Sequence, residues 1–70
     1  TGAQPELSAR EIEVLEHAAR GFTVGQIARR LSLAPRTVET HLGTAYRKLG
    51  VRNRVQALAR ASGLGLIRID

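Results

Sequence analysis

The chain predicts an all-α fold, a four-helix bundle, and three observations predict it. Strand signals are nearly absent: with one Phe and one Tyr there are few aromatic residues, and no stretch sustains an alternation of apolar and polar positions. Ser8, Thr23 and Asn53 each stand three places ahead of a Glu or Gln (Glu11, Gln26, Gln56). At that spacing a cap and the third helical residue satisfy each other's backbone N–H. Apolar residues then recur at helical intervals in every segment that follows such a start.

The first helix is expected over about 8–20, with Val14, Leu15, Ala18 and Ala19 on one stripe and Gly21 at the left-handed position that closes a helix. Capping and solvation account for its Glu11, Glu13 and Glu16, and Arg10 has Glu neighbours to pair with. The second helix, about 23–31, carries Ile27, Ala28 and Leu31 on its stripe. The third, about 35–49, opens on Pro35, whose missing N–H costs nothing in a first turn, and closes on Gly50. Val38, Leu42, Ala45 and Leu49 form its inward stripe. The fourth, about 53–62, offers Val55, Leu58 and Ala59 as its inward residues and Gly63 as its stop. Because a short turn, Ser32 to Ala34, joins the second helix to the third, the two must cross steeply as a helix-turn-helix. Thr1 to Pro5 read as the end of a linker, so the domain is expected over 6–70, the output end of a longer protein.

With 70 residues the chain is near the lower limit at which a core holds without staples. It has no Cys, which excludes disulfides and Cys-containing zinc sites. No apolar run approaches the roughly 18 residues that span a bilayer, and the first residues lack the parts of a signal peptide. The expectation is a cytoplasmic protein without membrane contact. The formal net charge of +5 is unevenly spread. Residues 1–28 hold two Arg against four Glu, whereas residues 29–70 hold nine Arg or Lys against Glu39 and Asp70. The second half is therefore the candidate polyanion-binding half.

Within it, the side of the third helix opposite the core stripe carries Arg36, Thr40, Gly43 and Arg47. Thr37, Glu39 and Thr44 border that face, and His41 and Lys48 sit nearer the core stripe. Short hydroxyl side chains and a glycine let a helix lie close to a groove floor, while Arg at each end can hold phosphates or reach a guanine edge. Three Thr and a Gly are poor helix formers for an ordinary solvated face, so the pattern trades local stability for function. Two readings of Glu39 stay open. It accepts a hydrogen bond from cytosine N4, or it is a surface residue favoured by the helix dipole and paired with Arg36.

Three strings, LSAREIEVLEHAARG at 7–21, IARRLSLAPRTVETHL at 27–42 and RKLGVRNRVQALARA at 47–61, closely resemble the LuxR-type (GerE-type) helix-turn-helix domain of bacterial transcription regulators. The resemblance covers about 5–67. It implies a DNA-binding domain whose third helix enters the major groove of double-stranded DNA. At matching positions, Thr37 and Lys48 would touch backbone phosphate, and Glu39, Thr40 and Gly43 would face bases. The fourth helix often makes a dimer contact in this family, which puts Arg54, Ala57 and Ala61 forward as the contact of a weak homodimer formed mainly on DNA; RNA polymerase is a further candidate partner. The chain departs from the family pattern at Glu39, where Lys is frequent, and at Gly43, Thr44 and Val24-Gly25, where longer polar residues are frequent. More reliance on phosphate contacts and DNA shape is expected in consequence.

An enzyme is not expected, since four short helices offer little concavity for a nucleophile, a carboxylate pair or a metal. Neither a cofactor nor a metal is called for. His17 reads as a surface residue, and His41 edges the core or a phosphate, the core being the better reading. The rivals are a promoter-binding domain like region 4 of a sigma factor, which lacks the fourth helix begun by GVRNRVQALARA, and a helix-turn-helix that now docks on a partner protein.

Overall fold

The computed structural model describes residues 6–68, so the linker expected at 1–5 lies outside the described residues, as do the last two positions. Four helices follow one another: α1 (Ala9–Ala19), α2 (Val24–Leu31), α3 (Pro35–Leu49) and α4 (Arg54–Gly63). All four expected helices are present, and no strand occurs among the described residues.

The helix starts follow the expected chemistry with one difference. The Ser8 hydroxyl accepts the Glu11 N–H at 3.1 Å, and the Glu11 carboxylate accepts the Ser8 N–H at 2.9 Å. Thr23 and Gln26 form the same reciprocal pair. Asn53 likewise accepts the Gln56 N–H at 2.9 Å, but the Gln56 side chain accepts from Arg52 N–H at 3.0 Å instead of from the cap itself.

The helix ends share one device. Each is closed by a residue of positive φ (Gly21, Ser32, Gly50, Gly65) followed by an apolar residue whose N–H reaches back five residues to a helix carbonyl. Phe22 donates to His17, Leu33 to Ala28, Val51 to Tyr46 and Leu66 to Ala61. All four apolar residues then pack against the core, so every turn is fixed by a hydrogen bond and by burial together. Gly63, expected as the last stop, is instead the final residue of α4, and Gly65 takes the left-handed turn at φ +74°. Ser32, at φ +57°, does the same without the freedom of glycine, in the turn of the helix-turn-helix.

Inside, Val14, Leu15, Ile27 and Val38 are the largest fully buried side chains, joined by Leu42, Ala45, Leu49 and Ile67. Burying each large one is worth roughly 1.5–3 kcal/mol, a sizeable share of what holds so small a domain together. α1 and α3 each pack on the other three helices, whereas α2 and α4 do not pack on each other.

α4 is rotated about its axis relative to expectation. Ala57 and Ala61 are its inward residues, 0% exposed, and Leu58 packs half-buried against the core as expected, while Val55 is 78% exposed and Ala59 faces solvent beside it. Small side chains on the inner face let α4 approach its neighbours closely. Arg54 fixes the rotation by donating to the Phe22 carbonyl at 3.1 Å. The dimer contact expected at Arg54, Ala57 and Ala61 is therefore corrected: two of these residues are core and the third is tied to the α1–α2 turn.

Candidate nucleic-acid interface

α3 owes its orientation to Val38, Leu42, Ala45 and Leu49, all buried, which hold its opposite face outward. On that face Arg36, Glu39, Thr40, Gly43 and Arg47 line an open concavity of about 340 Å³. Gly43 lies among them without a side chain, and the space where its Cβ would stand is open, with nothing within 4 Å. Arg36 and Arg47 stand at the two ends of the hollow.

Polar groups on the face are partly committed. Thr40 donates its hydroxyl hydrogen to the Arg36 carbonyl at 3.0 Å, so its oxygen presents lone pairs outward. Thr44 accepts from Arg47 at 3.3 Å, which steadies that guanidinium near the end of the hollow. Glu39 is exposed and has no ion-pair partner among the described residues; the pairing with Arg36 considered above does not form. Thr37 and Thr44 are half-buried at the margins, and His41 is half-buried toward the core side.

Lys48 lies apart from the concavity. Its ammonium meets Glu11 Oε1 at 2.9 Å, crossing from α3 to the first turn of α1. Glu11, read from sequence as a cap and a solvated charge, is a cap but is only 5% exposed. Burial pushes its carboxyl up. The Ser8 backbone N–H, the Lys48 ammonium and the Ser8 hydroxyl outweigh this, and the net displacement is below the ordinary 4.5. Arg10 pairs with Glu13 at 3.4 Å, as its neighbours implied.

A contact not anticipated from the sequence joins α2 to the turn that follows α1. The Arg30 guanidinium sits 4.1 Å from the centre of the Phe22 ring, with His17 tilted against the same ring at 5.8 Å. His17 is accordingly half-buried, and its Nδ1 is 2.8 Å from the Glu13 carbonyl oxygen, which corrects its reading as a plain surface residue. Phe22 is the sole Phe in the chain, and Arg30 lies eight residues further on, so the contact depends on how α2 folds back over the turn and leaves no signal in the sequence.

No helix of the described residues is long and apolar enough to cross a membrane, and no group of three or more His, Asp or Glu residues gathers there to hold a metal.

Four helices with a helix-turn-helix at their centre are the fold of the GerE-like class of helix-turn-helix domain. Residues 5–61 match the family described as bacterial regulatory proteins, luxR family, and the chain belongs to that family. Its helix-turn-helix domains are DNA-binding output domains of transcriptional regulators. The chain is 48% identical over 63 residues to the quorum sensing-dependent transcriptional regulator RpaR of Rhodopseudomonas palustris, covering 90% of this chain and 26% of that protein. It is 51% identical over 57 residues to the probable transcriptional regulatory protein NarL of Mycobacterium tuberculosis, covering 81% of this chain and 26% of that one. Among solved structures, the transcription factor GerE superposes with a TM-score of 0.88 at 31% identity, over 91% of this chain and 96% of that one. The response regulator ChrA of a heme-sensing two-component system superposes at 0.86 with 43% identity, over 93% and 32%. The chain thus spans about a quarter of the length of the curated relatives it matches.

Proposed function

We propose that this domain binds double-stranded DNA sequence-specifically, with α3 in the major groove, as the C-terminal output domain of a bacterial transcriptional regulator acting in the cytoplasm. The observation that carries the proposal is the concavity on α3, notched at Gly43 and ended by Arg36 and Arg47. A helix without a side chain at its middle can approach base edges, while arginines one turn or more away reach the flanking phosphates. Thr37 and Thr44 serve at the margins of this surface. Lys48 contributes to phosphate only through donors not used on Glu11, since an ammonium has three. No catalytic role is assigned.

In the same proposal the weak homodimer remains, but its contact moves to the outer line of α4, Val55 and Ala59, which the rotation of that helix leaves exposed. RNA polymerase is retained as a partner of the assembled regulator.

Binding to a mixed-sequence duplex should weaken steeply as salt rises. Arg36→Ala and Arg47→Ala should each lower affinity and reduce the magnitude of the slope of log K against log salt by about 1. Fluorescence anisotropy across a salt series reads both quantities. Absence of binding at low salt would remove the proposal in favour of a protein-docking role.

A further inference from the structure

The concavity on α3 is basic at its ends and acceptor-rich inside. Glu39 lines it, exposed and joined to no cation among the described residues, although Arg36 stands one turn away on the same face. Thr40 lines it too, with its hydroxyl hydrogen spent on the Arg36 carbonyl at 3.0 Å. Two neighbouring side chains therefore offer lone pairs to whatever enters. Gly43, one turn further on, supplies neither a competing donor nor bulk, and nothing lies within 4 Å of where its Cβ would be.

A carboxylate brought into a groove walled by phosphates is repelled unless it accepts a hydrogen bond there. Of the four bases, two present a donor in the major groove, adenine through N6 and cytosine through N4. Adenine sets its N7 acceptor beside that amine, where a second carboxylate oxygen or the Thr40 oxygen would meet it lone pair to lone pair. Cytosine has a C–H at the adjacent edge position and no acceptor of its own. The choice between them therefore falls on cytosine.

We infer that Glu39 is a specificity-determining residue that selects a cytosine at the operator position it faces, with Thr40 reinforcing the preference for an amino group. This rests on the DNA-binding reading above. Gln at the same position would reverse the choice, because its amide supplies both a donor and an acceptor and matches adenine N7 and N6 together.

The test is selection of bound duplexes from a random pool by the wild-type chain and by Glu39→Gln, followed by affinity measurement on the winning sequences. The wild type should enrich a motif with a fixed cytosine, whose replacement weakens binding roughly 5- to 100-fold. Glu39→Gln should move that one position to adenine and leave the others unchanged. If both proteins enrich the same motif, DNA binding stands and the role of Glu39 falls. If the wild type enriches no duplex at all, the DNA-binding reading fails and this inference fails with it.

Discussion

Glu11 shows how one side chain can serve two levels of structure. Its carboxylate completes the cap of α1 and also anchors Lys48 on α3, which makes it the polar link between the first helix and the outer one. Since its folded pKa lies below the ordinary 4.5, the charged form is favoured by folding. The stability it contributes is fully present above about pH 4.5 and is lost as pH falls through the lower, folded value. Glu11→Gln should therefore flatten the acid limb of stability against pH, and should cost about 1–2 kcal/mol at neutral pH through the lost charge-assisted bond. Urea unfolding of both proteins at a series of pH values checks this. Lys48→Ala should likewise cost stability, because it leaves a buried carboxylate without its cation. The cap was legible in the sequence through the Ser8 to Glu11 spacing. The ion pair was not, because it joins residues 37 apart whose meeting depends on how α1 and α3 pack.

The elements divide along the same line. The starts of all four helices and the stops of α1 and α3 could be read, since caps, Pro35, Gly21 and Gly50 act through neighbours in sequence. The orientation of α3 could be read as well, because Val38, Leu42, Ala45 and Leu49 contrast sharply with the polar residues opposite. α4 lacks that contrast. Alanine is indifferent to burial, so a helix with Ala57, Ala59 and Ala61 on several sides and Val55 on another does not declare its inner face. Helix packing and the Arg54 bond to Phe22 decide it instead. Ser32 was missed for a different reason: as a left-handed stop it carries no glycine to mark it, although the apolar Leu33 after it matches the pattern at the other three ends. The rotation of α4 can be tested with two charges. Ala57→Glu should destabilise the fold by about 3 kcal/mol or more, because it buries an unpaired carboxylate. Val55→Glu should leave stability within about 0.5 kcal/mol while lowering affinity for a two-site operator more than for a half-site. Thermal melts and paired duplex titrations read the two effects. Equal losses of stability from the two variants would contradict the observed orientation.

At the scale of the whole molecule, charge and shape converge on one surface. The first half is net acidic and supplies α1, which helps hold α3 in place; the second half is basic and supplies α3 itself. The candidate site was largely legible: Arg36, Glu39, Thr40, Gly43 and Arg47 line the hollow, and all five were expected on or beside the outer face. What the sequence could not separate was the commitment of each group, such as Lys48 to Glu11 or the Thr40 hydrogen to Arg36, because these depend on packing and on rotamers. The central claim is that this face of α3 is where DNA docks. Amide chemical-shift mapping of the chain against a selected duplex tests it most directly. The largest changes should cluster on Arg36, Glu39, Thr40, Gly43 and Arg47 and weaken together as salt is added. Changes confined to Val55 and Ala59 on α4, with the α3 amides unmoved, would contradict it.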